Sequence, residues 1–427
     1  MFKKFTAFVL LLLIFFGLFS CKKQNFTIPS MEGAEKITVE GDSKMTYADA
    51  TPEKFDAYCA ELDKTDFVKI ESHEAMGNRF ATYRGKDSYV YAYYTASTGK
   101  MRVITGPVAE LSEQTYKTDA GQKYTPYISS IPQPDNGQGL IIRLPDGRFF
   151  IHDGGYEGDD RVYAALRNLM PDGKIVIAAW FVSHPHGDHY GAFTDFLVNH
   201  GRDEDIVLER IMLNFADPER YLALEVYGDT TEDVTYIHKV IQENVPNVPV
   251  LKVHTGQSID FGDATVEILY TIEDHMPEDL RNINDSSMAM RITMGGQSFM
   301  ILADTGYYSG PILEDMWGDY LKSDMVQVAH HGLWPSVESI YHKIAAEVAI
   351  VPAKLSRYKD DINDAQWAAQ TAAFLSYAKD LYTACDGPIM IELPHTFQNN
   401  KEQMVAAIQN YVPQPDEPTN DSAESPV

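Results

Sequence analysis

The stretch Ser183-His184-Pro185-His186-Gly187-Asp188-His189-Tyr190 sets three imidazoles and a carboxylate within six positions, directly after an apolar run at 174–182. Neutral imidazole nitrogen and carboxylate oxygen are the ligands that zinc, iron and manganese accept, and a catalytic metal also needs one position open for water. In an extended segment, residues two apart leave on the same side, so His184 and His186 can share one ion. The adjacent Asp188 and His189 point elsewhere and can serve a second ion. One short loop can therefore seed two metal sites. The bland alternative is a polar surface loop rich in histidine, against which weigh further carboxylates and histidines downstream.

Outward from this loop, the 427-residue chain is 44% hydrophobic, enough to bury a core in one large or two ordinary domains. Residues 1–20 carry Lys3 and Lys4, then an apolar run at 8–19 that is too short to span a bilayer and reads as a secretory signal. The segment ends Leu18-Phe19-Ser20-Cys21, which resembles the bacterial lipobox. That resemblance implies acylation of Cys21, a bacterial cell-envelope location outside the cytoplasm and membrane attachment through the lipid alone. The other two cysteines, Cys59 and Cys385, lie far apart and predict small buried residues, not a disulfide framework. A net charge of −27 without a basic cluster disfavours nucleic acid as a partner and leaves a small or envelope-linked substrate.

The pattern along the chain predicts a tether over 21–45 and a small α+β module over 46–110. In the module, Thr51 and Pro52 open a helix that carries Phe55, Tyr58, Cys59 and Leu62 at helical spacing. Strands follow at 67–71, 79–84, 88–95 and 100–105, and the tyrosines Tyr89, Tyr91, Tyr93 and Tyr94 read as sheet packing. After a proline-containing linker, a hairpin over 139–155 delivers Asp153-Gly154-Gly155 at a strand end. A helix at 160–169 precedes the strand that feeds the histidine loop. Helices are then expected at 191–199, 231–243, 311–321, 336–345, 364–377 and 400–411, the last within a terminal helical unit over 397–412. Strands are expected at 206–213, 249–253, 264–271, 287–294, 297–303, 324–329 and 347–352, with two short ones in 380–393. This alternation predicts a layered α/β fold with more than one sheet. The proline-rich tail 413–427 has no apolar face and predicts disorder.

Three further signals lie at the ends of predicted strands: Asp153, Asp304 in Leu302-Ala303-Asp304-Thr305-Gly306, and His330-His331-Gly332. With the His-x-His-x-Asp-His core, they resemble the metallo-β-lactamase superfamily over about 124–396. Within it, Gly256-Gln257-Ser258-Ile259-Asp260-Phe261-Gly262, Asn284-Asp285-Ser286-Ser287 and His330-His331-Gly332 are most similar to the extracytoplasmic hydrolase domain of competence DNA-uptake channels. Bacterial phosphorylcholine esterases share much of this pattern.

The resemblance implies an αββα sandwich with metals at one edge. It implies His184 and His186 on one ion, Asp188, His189 and His331 on the other, and Asp304 bridging both. Asp153 would brace the ligand imidazoles from outside. His331 is preferred over its neighbour because it directly precedes the glycine; His330 would line the pocket or donate to a substrate oxygen, with Asp188 as the other catalytic residue. Three departures stand out. Many members place another histidine between the loop and the bridging aspartate, whereas His200, His238, His254 and His275 here have no matching context and read as ordinary histidines. Ala303 stands where relatives carry glycine, and Tyr190 where an aliphatic residue is common.

The chemistry expected is hydrolysis at two divalent ions, zinc first with manganese or iron as alternatives, which acidify a shared water and polarise a carbonyl or phosphoryl oxygen. A phosphodiester is placed ahead of an ester or lactone on the resemblance alone. Tyr190, Tyr307, Tyr308 and Trp334 could wall the pocket. A non-catalytic metal-containing binding lipoprotein is the competing reading, and iron-based redox chemistry a third.

Overall fold

Alternation of apolar side chains along neighbouring strands decides how the layers stack. The computed structural model describes residues 28–30, 36–40, 43–117, 123–218, 231–278, 280–333, 338–361 and 368–412. The expected signal segment 1–20, Cys21, Trp334 and the tail 413–427 lie outside these residues.

An N-terminal antiparallel sheet contains β1 (Lys36–Glu40), β2 (Lys44–Tyr47), β3 (Val68–Ala75), β4 (Asn78–Arg84), β5 (Ser88–Thr95) and β6 (Lys100–Pro107). Its order is β1-β2-β6-β5-β4-β3. Helix α1 (Pro52–Leu62) starts where the sequence predicts, with the Thr51 hydroxyl accepting the Lys54 N–H at 3.2 Å and Pro52 in the first turn. Because β1 pairs with β2, ordered chain begins inside the stretch 21–45 that was expected to be a tether.

Two eight-stranded sheets follow. After β7 (Thr115–Tyr116), one sheet is built from β8 (Tyr127–Ser130), β9 (Gly139–Arg143), β10 (Phe149–Asp153), β11 (Ile175–Phe181), β12 (Ile206–Leu208), β13 (Ile211–Leu213), β14 (Val250–Lys252) and β22 (Met390–Glu392). The other holds β7, β15 (Ser258–Phe261), β16 (Ala264–Tyr270), β17 (Ala289–Met294), β18 (Gln297–Ile301), β19 (Met325–Gln327), β20 (Val348–Val351) and β21 (Asp380–Thr383). Phe150, Phe181 and Met212 from the first sheet meet Val266, Ile292, Phe299 and Ile301 from the second in one buried cluster. Full burial contributes about 1.5–3 kcal/mol for each such large side chain.

The neighbours Phe149, Ile151 and Trp180 point the other way, under α2 (Arg161–Leu169), α3 (Gly187–His200) and α4 (Thr231–Asn244). Helices α5 (Ser309–Trp317), α6 (Glu338–Ile344), α8 (Ala368–Tyr377) and α9 (Lys401–Gln409) cover the outer face of the second sheet, and α7 (Leu355–Asp361) follows β20. This is the expected two-sheet α/β sandwich with helices outside.

Several elements differ from the sequence expectation. The strand predicted at 206–213 is two short strands, broken where Glu209 pairs with Arg148 at 2.8 Å and the Arg210 guanidinium lies 3.7 Å over the Tyr116 ring. Strands β8 and β15 and helix α7 were not predicted, since each is short and lacks sustained periodicity.

The tyrosine-rich strand β5 does more than pack. Val90, Ala92 and Tyr94 face α1. Tyr89, Tyr91 and Tyr93 face the sandwich, where their hydroxyls reach His254 Nε2 (2.9 Å), the Thr255 carbonyl (2.8 Å) and the Asp274 carboxylate (2.9 Å). The Phe80 and Trp317 rings stack at 6.0 Å, and Arg102 donates to the Asp274 carbonyl at 2.7 Å. The N-terminal sheet is thus held against the sandwich by a buried apolar and polar interface.

Parallel pairing brings the site together. β10 and β11 are parallel neighbours, as are β18, β19 and β20, so the C-terminal ends in each group open on one edge. Residues 153, 183–189, 304, 330–331 and 352 all lie just past those ends.

Candidate metal centre

The foundation of the site is Asp153, fully buried at the end of β10 with a left-handed φ of 55°. The two glycines that follow have a steric reason. A Cβ on Gly154 would lie 2.9 Å from the Phe193 nitrogen, and one on Gly155, at φ 88°, would lie 2.0 Å from Gln133 Oε1. The chain can therefore turn beneath α3 only without side chains here. Asp153 accepts the Ser183 N–H (2.7 Å), the Ser183 hydroxyl (2.8 Å) and His189 Nδ1 (2.8 Å). Burial alone would raise its carboxyl, but the imidazoles of His152 and His189 outweigh that and hold it well below the ordinary range.

Three imidazoles share one arrangement. His189 Nδ1 is held by Asp153, His184 Nδ1 faces the Ser183 hydroxyl at 3.0 Å, and His331 Nδ1 faces the Pro352 carbonyl at 3.1 Å. With each Nδ1 anchored outward, each Nε2 lone pair turns inward, the tautomer a metal ligand requires. His189 Nε2 lies 3.1 Å from Asp304 Oδ1 and 3.9 Å from Asp188 Oδ2. His331 Nε2 lies 3.0 Å from Asp188 Oδ2 and 3.5 Å from Asp304 Oδ2, and His184 Nε2 lies 3.8 Å from Asp304 Oδ2. Two clusters result, His184-His189-Asp304 and Asp188-His189-His331, with His189 common to both. His186 stands beside the first, its Nδ1 3.1 Å from His184 Nε2. The expected division made Asp304 the shared residue; the two candidate clusters instead have His189 in common, with Asp304 in the first.

Among the described residues, His189 Nε2, His331 Nε2 and Asp304 Oδ1 are buried and make no hydrogen bond. Leaving such atoms unpaired costs about 1–3 kcal/mol each, and a cation at their point of convergence removes the penalty. The residues fit divalent metal on this ground, and the His/Asp clusters fit a metal-dependent enzyme.

His330 and His331 differ in exposure. The His331 side chain is 1% exposed and joins a cluster, whereas that of His330 is 18% exposed, faces Asp304 at 3.6 Å and takes the Asn284 amide at 3.2 Å. Burial pushes His330 down to about 4, against the carboxylate of Asp304. It is therefore neutral at pH 7 and serves as a hydrogen-bonding group. Both histidines have left-handed φ, 50° and 59°, and Ala303 does too, at 48°. This explains why glycine suits position 303. Here the strained backbone is clamped by Gln327, whose side chain accepts the Leu302 and Ala303 N–H groups at 2.8 and 2.7 Å.

Sequence reasoning missed Ser183, which links Asp153 to His184, and Gln327; neither residue type signals a metal site on its own. It also placed Tyr190 as a pocket wall, but Tyr190, in the first turn of α3, is buried with its hydroxyl on Asp233 of α4. Tyr307 and Tyr308 are exposed, and Arg281 already lies 5.6 Å from the Tyr308 ring. His254 sits fully buried against Glu273 at 2.9 Å, at the interface with the N-terminal sheet. His200 bridges Asp160 and Asp203.

Without a cation, protons take its place. Burial would depress His331, but the carboxylates of Asp304 and Asp188 push it up to about 9, and His189 is raised in the same way. Protonation of His331 therefore stabilises the metal-free fold fully below its unfolded value of 6.5 and is lost as pH rises through about 9. Chelator-stripped protein is expected to lose thermal stability across that window and to regain it when zinc is added, because metal replaces the protons. A melting temperature that stays flat from pH 6.5 to 9 in the stripped protein would contradict this.

No family model matches the chain, and no curated protein sequence matches it. Solved structures similar to it include metallo-β-lactamase-fold proteins. The fold protein YhfI from Bacillus subtilis aligns at 15% identity and a TM-score of 0.37, covering 62% of this chain and 99% of that one. CmlA, a diiron β-hydroxylase from Streptomyces venezuelae, aligns at 16% identity and a TM-score of 0.34, covering 66% of this chain and 46% of that one. A Cronobacter sakazakii metallo-β-lactamase aligns at 16% identity and a TM-score of 0.28, covering 46% of this chain and 75% of that one. At such low identities and TM-scores these likenesses assign no activity to this chain.

Proposed function

We propose that this chain is a metal-dependent hydrolase of the metallo-β-lactamase superfamily, lipid-anchored at Cys21 outside the cytoplasm, acting on a phosphodiester. The observation that carries the hydrolase reading is the convergence of His184, His189 and His331 Nε2 on Asp188 and Asp304 while every Nδ1 is anchored outward. The pattern shared with competence-channel hydrolase domains and phosphorylcholine esterases supports the phosphodiester, and Leu18-Phe19-Ser20-Cys21 supports the anchor.

His184, His186, His189, His331, Asp188 and Asp304 would hold the ions. Bound divalent metal supplies Lewis acidity and lowers the pKa of water toward about 7. The remaining work belongs to the chain. Asp153 and Ser183 keep the imidazoles in register. The Asp188 side chain is 16% exposed against 2% for Asp304, which gives it access to solvent, so it orients the attacking water. His330 and Asn284 line the exposed side and donate to a substrate oxygen.

The test is turnover by purified protein, loaded with zinc or manganese, of bis-para-nitrophenyl phosphate, simple esters and lactones. Faster diester hydrolysis supports the proposal, whereas turnover of esters or lactones alone redirects it within the hydrolases. If no substrate is turned over and elemental analysis finds no bound metal, the reading fails.

A further inference from the structure

Near the edge that carries the ligands lies an arginine with no carboxylate partner among the described residues. Pro352, at the end of β20, holds His331 through its carbonyl and accepts the Gly137 N–H at 3.3 Å. Ala353 bridges to Asn136, and the Lys354 N–H donates to the Asp135 carbonyl at 2.9 Å. The segments 135–137 and 352–354 are thus stitched together beside the metal loop, with the Asn136 amide 3.5 Å from Asp188 Oδ2. Helix α7 starts immediately afterwards. Its Tyr358 turns into the core, fully buried against the space where a Gly332 Cβ would be, while its neighbour Arg357 is only half-buried.

Arg357 Nε is buried and makes no hydrogen bond, and no carboxylate among the described residues pairs with the guanidinium. That is unexpected in a chain with 62 acidic residues against 35 basic ones. A buried N–H left without an acceptor is costly, and a bidentate guanidinium suits carboxylate or phosphate above other groups. Tyr156 links it to the metal loop. Its ring lies 3.3 Å from where a Gly137 Cβ would be, and its backbone N–H donates to Gln133 Oε1. Burial raises the Tyr156 hydroxyl, as do the charges of Asp188, Asp135 and Asp304, while the Arg357 charge opposes them. The phenol is therefore a neutral donor that feels both the carboxylates and the guanidinium.

We infer that Arg357 and Tyr156 form an oxyanion-binding subsite on the rim of the metal centre, so that the substrate is anionic and is held by a phosphoryl or carboxylate oxygen on this side. The inference deepens the hydrolase reading and rests on it for the word substrate; the anion site itself does not. In a strongly acidic protein such a group also offsets the repulsion an anionic substrate meets on entry.

The test uses full-length protein, with Arg357→Met to keep the stem and Arg357→Lys to keep the charge without the fork. Inorganic phosphate binding, followed by titration calorimetry, is expected to weaken at least tenfold in Arg357→Met and less in Arg357→Lys, with metal content unchanged. The preference for bis-para-nitrophenyl phosphate over a neutral nitrophenyl ester, as a ratio of kcat/KM, is expected to fall at least tenfold in Arg357→Met. Equal phosphate affinity in wild type and Arg357→Met would overturn the subsite. If wild type turns over neither ester but Arg357-dependent phosphate binding persists, the hydrolase reading fails and the anion site stands.

Discussion

Replacing His189 by alanine is expected to empty both metal positions and abolish turnover. His189 belongs to both ligand clusters, and its Nε2 is the ring atom facing Asp304 at 3.1 Å and Asp188 at 3.9 Å. Losing it takes away the one Nε2 lone pair that both candidate clusters use, Nδ1 being held by Asp153, and leaves Asp304 and the part-buried Asp188 with less opposing charge. Transition-state stabilisation by metal is worth several kcal/mol, so activity should fall by ~10³-fold or more. Elemental analysis should read well under the wild-type metal content. His186→Ala is the contrast, because His186 stands outside both clusters, with its Nδ1 3.1 Å from His184 Nε2. It should lose metal from one position and keep part of the other. A His189→Ala protein that retains wild-type metal and rate would show that neither candidate cluster depends on His189.

The second large effect is expected at Asp153, which touches no ion position. Asp153→Ala removes the acceptor for the Ser183 N–H, the Ser183 hydroxyl and His189 Nδ1 together, all inside a fully buried pocket. Breaking a buried charged pair on one side costs about 3–5 kcal/mol. Loss of the orienting carboxylate should also weaken metal binding by ~10–100-fold. Thermal denaturation with and without zinc separates the two. The variant should melt lower in both states, and zinc should rescue it less than it rescues wild type. Asp153→Asn keeps the shape but not the charge, and should fall between the two. Wild-type melting of Asp153→Ala would show that the ligand loop holds its form without this carboxylate.

Legibility in the sequence followed locality. His184, His186, Asp188 and His189 lie within one turn of chain, so spacing alone exposes their chemistry. Asp304 and His331 could be placed only through a resemblance, since nothing local connects residue 304 or 331 with residue 189. Ala303 shows how a departure gains meaning from the backbone. In the sequence it is a missing glycine, whereas in the fold it is a left-handed alanine clamped by Gln327. Tyr89, Tyr91 and Tyr93 read as packing because alternation reports which face a side chain takes, not what lies opposite. Their hydroxyl partners are at positions 254, 255 and 274, on the sandwich.

By itself the sequence determined the layered α/β class, the ligand-type side chains of residues 184–189 and the carboxylates and histidines at strand ends, because period, strand-end position and residue type are properties of short stretches. Only the tertiary structure decided that His189 falls in both candidate clusters, that His331 is buried where His330 is partly exposed, and that Ser183 carries Asp153 to His184. The reason is geometric. Parallel strands from two facing sheets end on one edge, and which atoms meet there depends on register and backbone handedness summed over the whole sandwich.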